Sequence, residues 1–316
     1  MKVLLADKLD VQVIQDLTTG GFQVIQTKGL APGNLPSYAV LCEILIVRST
    51  LVKKEILADF PQLKLIIRAG AGIDTIDVVA AAARGIQVSN CPGKNADAVA
   101  EMALALMLAV DRNLVEATMS LRGGRWIKGS LGQGRGFKDR TLGIAGFGAV
   151  GKALARKARG LEMRIAVWSH HPLSQVELEV EMVCVNSIQD LAQVSDVVSI
   201  HVASIPETRN LFGKDFFSML KPGAIFINTA RGEVVDQVAL LEAIQTRGLR
   251  VGLDVFAGEP KVAEAIFSDG ALAAKVVCSP HLGASTDQAA EAVAQEVIRI
   301  ATVFRDTGIA PNAFSP

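Results

Sequence analysis

The chain has few cysteines and no excess of either charge. Among its 316 residues there are four cysteines, Cys42, Cys91, Cys184 and Cys278, widely scattered and without a C-x-x-C pair or a histidine-rich neighbour at ligand spacing. That scatter reads as buried, reduced thiols rather than a disulfide frame or a zinc centre, so no metal site is expected. Lys plus Arg and Asp plus Glu each total 32, so the net charge points to neither nucleic acid nor a membrane surface, and any anion site has to be local. Long apolar runs are also lacking. Residues 102–110 are too few to span a bilayer, and the opening MKVLLADKLD turns polar too soon for a secretory signal. A cytoplasmic protein is the expectation. There is no short-period repeat and no low-complexity tract.

Half the residues are hydrophobic, ample for two buried cores in a chain of about two domains' length. The most informative stretch is TLGIAGFGAVGKALARKARG, residues 141–160. A short apolar run meets glycines spaced G-x-G-x-x-G at Gly146, Gly148 and Gly151, and apolar residues then recur at helical spacing, which reads as strand, tight turn and helix. Gly146 permits the turn, Gly148 has no Cβ to block a pyrophosphate, and Gly151 lets the helix pack close while its N-terminal N–H groups, those around Ala149 and Val150, face the anion. Dinucleotide binding is expected here.

Before this stretch, apolar and β-branched runs at residues 1–6, 22–26, 42–47 and 63–68 alternate with helical segments, and a further unit spans 78–90. After it, strand-like runs follow at 164–168, 182–185, 197–202, 224–228, 251–255 and 275–278. Strands alternating with helices imply an α/β protein of two doubly wound parallel sheets: a Rossmann cofactor domain inserted in a flavodoxin-like substrate domain. A helix over 288–305 follows the last strand and is long enough to travel back to the first domain. The expected division is 1–97 with 284–316 for the substrate domain and 98–283 for the dinucleotide domain, with hinges near Asn95 and residues 283–285.

Three segments that end strands on the cleft side carry functional groups: Asn228-Thr229-Ala230-Arg231-Gly232, Asp254 through Glu259 to Pro260, and Ser279-Pro280-His281-Leu282-Gly283. The carboxyl ends of strands form the binding crevice in open α/β sheets, so an Arg, a Glu and a His arriving there suggest a reaction. The motifs RAGAGIDTID, NADAVAE, NTARGEVVD, LDVFAGEP and SPHLGAST, in this order, resemble those of the D-isomer-specific 2-hydroxyacid dehydrogenase family, and most closely its D-3-phosphoglycerate dehydrogenase branch.

The resemblance implies hydride transfer between a nicotinamide cofactor and the C2 of a 2-hydroxy or 2-keto acid. It assigns His281 as general acid/base, Glu259 as its partner and Arg231 as the substrate clamp. An imidazole titrates near neutrality and can hold or accept the proton, and a planar guanidinium can grip a carboxylate. Thr229, Ala230, Asp254 and Gly283 fall to the cofactor. Ala69, Gly70, Ala71 and Gly72 can offer backbone N–H groups to the substrate carboxylate, and Asn95, which opens the NADAVAE motif, is assigned to the substrate as well. Arg48 and Arg68 end strands of the first domain, and two guanidinium groups suit a phosphate dianion. The substrate expected is therefore D-3-phosphoglycerate, a precursor of serine, with glyoxylate, hydroxypyruvate or another 2-keto acid as the alternative. The family also contains a nicotinamide-sensing corepressor, C-terminal-binding protein, as an alternative without turnover.

The cofactor position departs from the usual pattern. An acidic residue ordinarily ends the second strand, roughly 20 residues past the fingerprint, to bind the adenosine ribose. Here Ser169 stands there, followed by His170 and His171. No carboxylate repels a 2′-phosphate and no arginine or lysine adjoins Ser169, so tolerance of both NAD and NADP is expected. His170 and His171 would face the ribose, and His201 is read as structural. The segment over 120–140 and the helix before it resemble the family's dimer contact, which implies a homodimer. The chain ends at Pro316, where longer phosphoglycerate dehydrogenases continue, so serine feedback through a trailing domain is not expected.

Overall fold

Short runs rich in aliphatic residues become parallel strands because helices cover both faces of each sheet, so such strands show little of a polar side. A computed structural model describes residues 1–27, 29–30, 39–129, 131–170, 173, 182–260 and 265–314. It divides into two compact units, one of residues 1–95 with 286–316 and the other of residues 96–285. The chain opens with β1 (Lys2–Leu5), α1 (Val11–Thr19), β2 (Gln23–Gln26), β3 (Ile44–Val47), α2 (Lys54–Leu57), β4 (Leu65–Arg68), α3 (Val78–Ala82) and β5 (Gln87–Asn90). It then enters the second unit through α4 (Ala96–Asp111) and α5 (Leu114–Arg122).

That unit continues with β6 (Thr141–Ala145), α6 (Ala149–Arg159), β7 (Arg164–Trp168), β8 (Met182–Cys184), α7 (Ile188–Val194), β9 (Val197–Ile200) and α8 (Lys214–Met219). It closes with β10 (Ile225–Asn228), α9 (Gln237–Arg247), β11 (Arg250–Leu253), α10 (Gly270–Ala273) and β12 (Val277–Cys278), and α11 (Asp287–Thr307) belongs again to the first unit.

The first sheet has the order β2-β1-β3-β4-β5 and is parallel throughout. Successive residues of each strand enter opposite cores: Val3 and Leu5, with Ile44 and Ile46, join one face, while Leu4, Leu45 and Val47 join the other. Val297, Ile300, Ala301 and Phe304 of α11 complete the first of these cores, so the returning helix is part of the unit's interior. Thr286 caps α11 by accepting from the Ala289 N–H, and Gly308 ends it in the left-handed conformation.

The second sheet runs β12-β11-β10-β9-β6-β7-β8, also parallel. One face holds Phe212, Phe216, Phe217 and Phe226 in edge-on contact; the other buries Leu142, Ile144, Ile225 and Ile227 against α4 and α6. These are the two doubly wound sheets expected from the alternating pattern.

α4 is followed by a separate helix, α5, because Asn113 takes a left-handed conformation (φ 49°) that breaks the run. One reading needs correction. The thiols are not all buried: Cys42 and Cys91 are, but Cys184 and Cys278 are exposed. Those two lie on β8 and β12, the edge strands of the second sheet. Among the described residues no helix is long and apolar enough to cross a membrane.

Candidate active site

In the second unit the strand order reverses between β9 and β6, and the glycine fingerprint sits at the carboxyl end of β6. Gly146 has φ 98°, and a Cβ there would lie 2.6 Å from the His201 carbonyl oxygen. A Cβ on Gly151 would collide with the Gly146 carbonyl. Both glycines are therefore demanded by the protein's own packing.

Gly148 differs: among the described residues a Cβ there would meet no atom within 4 Å, and no side chain caps α6 at this residue. Open space before the N-terminus of an eleven-residue helix, beside Ala149, Val150 and Gly151, fits a dinucleotide pyrophosphate. Past β7, Ser169 is half-buried and His170 exposed; His171 lies outside the described residues. His201 donates or accepts at Ser199 Oγ (2.9 Å), and desolvation lowers its pKa to about 3. A ring held neutral at working pH is not a proton carrier.

At the end of β10, the Asn228 side chain organises the next turn, accepting from the Ala230 N–H and donating to the Arg231 carbonyl, both at 2.9 Å. Thr229 is buried, and its hydroxyl has no hydrogen-bond partner among the described residues. The Arg231 guanidinium donates to the Ala230 carbonyl at 2.7 Å. Gly232 packs so tightly on the Phe256–Ala257 backbone that any Cβ would collide. The Arg231 turn and the loop bearing Glu259 are thus locked together.

His281 Nδ1 lies 2.7 Å from Glu259 Oε1. The imidazole is the more exposed of the two, at 44% against 23% for the carboxylate. This leaves Nε2 as the ring atom available to a ligand. His281 itself has φ 55°, the left-handed region, and its N–H donates to the Asp254 carbonyl at 2.8 Å.

The Asp254 side chain is buried at 1% exposure and holds the same loop. Its oxygens accept from Ser279 Oγ (2.6 Å), Leu282 N (2.8 Å) and Gly283 N (2.8 Å). Gly283 has no room for a Cβ beside that carboxylate. Asp254 and Gly283, both expected at the cofactor, bond to each other and fix the His281 loop. Gln237 adds a second staple, accepting from Ala257 N at 2.5 Å and donating to Asp269 at 2.8 Å.

The first unit carries the remaining candidates. Arg68 pairs in register with Val47, and Arg48 is the next residue along, so two guanidinium-bearing positions leave neighbouring strands together. The Arg68 side chain lies over Gly70, whose missing Cβ makes the space, and Gly70 has φ 147°. In the loop of Ala69 to Gly72, the N–H groups of Ala69 and Gly70 already donate to Val47 and Arg68 carbonyls. Those of Ala71 and Gly72 make no hydrogen bond among the described residues, which narrows four candidate donors to two. The Asn90 amide holds the Ala71 carbonyl at 2.5 Å, and half-buried Asn95 ends the unit.

Sequence reasoning missed Asp7, Gln237 and Ser279. Asp7 accepts five hydrogen bonds from Arg48, Ser49 and Thr50. Burial pushes its carboxyl up, but the three backbone N–H groups outweigh that and hold it below the usual range. Its position just past the first strand, in ADKLD, was the available signal.

The model for the NAD binding domain of D-isomer specific 2-hydroxyacid dehydrogenases matches residues 104–283. A glyoxylate reductase of Thermococcus litoralis is 40% identical over 268 residues, covering 83% of this chain and 80% of that protein. A D-3-phosphoglycerate dehydrogenase of Mycobacterium leprae is 38% identical over 301 residues, 93% of this chain but 55% of that protein; the chain thus spans about half that relative's length. Among solved structures, an NADPH-dependent glyoxylate/hydroxypyruvate reductase of Sinorhizobium meliloti, in complex with NADP and malonate, aligns with a TM-score of 0.84 at 27% identity, covering 99% of this chain and 96% of that one.

Proposed function

The chain belongs to the D-isomer specific 2-hydroxyacid dehydrogenase family, enzymes that interconvert small hydroxy and keto acids with NAD(P), and we propose that its substrate is D-3-phosphoglycerate, oxidised to 3-phosphohydroxypyruvate at the entry to serine biosynthesis. The observation that carries this reading is the arginine pair leaving neighbouring strands, Arg68 and Arg48. Two guanidinium groups match a phosphate dianion, whereas glyoxylate has no second anion for them.

The nicotinamide cofactor supplies hydride acceptance and donation. The chain's own groups handle charge and proton. Glu259, bonded at Nδ1, fixes the tautomer and orientation of His281, so that Nε2 takes the proton from the substrate hydroxyl and returns it to the ketone oxygen in reduction. Arg231 grips the substrate carboxylate and polarises the adjoining carbonyl; in the first unit the open N–H groups of Ala71 and Gly72 are donors of the kind that bind a carboxylate. Arg48 and Arg68 hold the phosphate. We assign dimer formation to α5 and the segment after it, where Leu114, Met119, Leu121 and Trp126 are exposed.

The competing reading, reduction of glyoxylate or hydroxypyruvate, is favoured by the identity to the Thermococcus litoralis enzyme. Arg48→Ala separates the two. Steady-state kinetics are expected to show the ratio of kcat/KM for 3-phosphohydroxypyruvate to that for glyoxylate falling at least about tenfold, ~1.4 kcal/mol of lost transition-state binding. An unchanged ratio gives the assignment to the reductase reading.

A further inference from the structure

Ligands of open α/β sheets bind outside the carboxyl ends of the strands where the strand order reverses. In the first sheet, β2-β1-β3-β4-β5, that point lies between β1 and β3. The second sheet leaves its own reversal point open at Gly148. The first does not: Asp7, two residues beyond β1, reaches across to the turn that follows β3.

The contacts are specific. Asp7 Oδ2 accepts from the backbone N–H groups of Arg48 (2.6 Å), Ser49 (3.0 Å) and Thr50 (3.0 Å). Oδ1 accepts from the hydroxyls of Ser49 (2.9 Å) and Thr50 (3.0 Å). Three successive N–H groups converging on one oxygen make a concavity suited to an oxyanion, and the protein fills it with its own carboxylate. Every donor of the Arg48–Thr50 turn is thereby committed except one. The Arg48 guanidinium is exposed and makes no hydrogen bond or ion pair among the described residues.

We infer that Asp7 is the positioning residue for Arg48: it fixes the backbone from which the guanidinium projects, and so sets the preference for phosphorylated over unphosphorylated 2-keto acids. This rests on the phosphoglycerate reading above. It also assigns phosphate recognition in this turn to the guanidinium alone, because the backbone donors and both hydroxyls are held by the carboxylate.

The test is a double-mutant cycle on Asp7→Ala and Arg48→Ala, with 3-phosphohydroxypyruvate and hydroxypyruvate as substrates that differ only in the phosphate. Asp7→Ala is expected to raise KM for the phosphorylated substrate about tenfold with kcat within about twofold, lowering the kcat/KM ratio between the two substrates to nearly the value of Arg48→Ala. The double variant is expected to be no worse than Arg48→Ala, since Asp7 acts through that residue. Asp7→Asn keeps a carbonyl oxygen for the three N–H groups and is expected to retain the ratio within about threefold.

A ratio untouched by Asp7→Ala overturns the inference, and so does a further loss when Asp7→Ala is added to Arg48→Ala. If Arg48→Ala alone leaves the ratio unchanged, the phosphoglycerate reading has failed and Asp7 has no anion-reading group to aim. Should Asp7→Ala not fold, Ser49→Ala with Thr50→Val removes two of the five bonds. That pair is expected to lower the ratio about threefold, and no change overturns the inference.

Discussion

His281 combines a proton-handling side chain with a backbone that a residue bearing a Cβ adopts only at a cost. Its φ of 55° costs an L-residue roughly 1–2 kcal/mol. The loop is held in place by Asp254, whose side chain accepts from Ser279, Leu282 and Gly283. Two replacements separate the chemistry from the strain. His281→Ala and His281→Gly are both expected to lower kcat by about 10² to 10⁴, the usual size of acid/base assistance. Urea unfolding, however, is expected to find His281→Gly the more stable of the two by about 1 kcal/mol, because glycine adopts the left-handed backbone freely. Alanine proving equal or better would show that the loop carries no such strain. The histidine and its motif are plain in the sequence. Its backbone angle and the buried carboxylate beneath it depend on contacts between residues 25 or more apart, which no local pattern displays.

Elements were legible where burial is two-sided and opaque where a single backbone angle decides. Ile44–Val47, Val197–Ile200 and Ile225–Asn228 are buried at every position, and short runs so largely apolar stand out. The boundary between α4 and α5 rests on Asn113 alone, and nothing in the apolar periodicity marks it. Within the fingerprint turn the three glycines look alike in sequence but answer to different partners. Gly151→Ala would place its Cβ against the Gly146 carbonyl and is expected to lower stability by roughly 1–3 kcal/mol, the ordinary cost of overpacking. Gly148→Ala meets nothing and is expected to unfold at the wild-type temperature. Its cofactor KM is expected to rise about tenfold or more, because the methyl enters space left for the pyrophosphate. Thermal unfolding paired with cofactor titration checks both. A Gly148→Ala protein with unaltered cofactor KM would remove the pyrophosphate from that position.

At the scale of the whole molecule, the chain leaves its first sheet after Asn95 and returns with α11, so its excursions are anchored at both ends. The segment from α5 onward has a different character. Met119 and Trp126 are 67% and 79% exposed, and Leu114 and Leu121 are exposed beside them in the chain. Apolar side chains gathered in one exposed segment mark an association surface more often than a solvated face. A second copy of the chain is the simplest occupant, because a two-fold contact pairs the same patch with itself. Met119→Glu with Leu121→Glu adds charge at exposed positions and leaves the buried cores alone, so circular dichroism is expected to match the wild type. Analytical ultracentrifugation is then expected to show a two-chain species for the wild type and a one-chain species for the double variant, since buried unpaired carboxylates oppose the contact. Wild-type protein sedimenting as a single chain at micromolar concentration would refute the dimer, as would a double variant that remains paired.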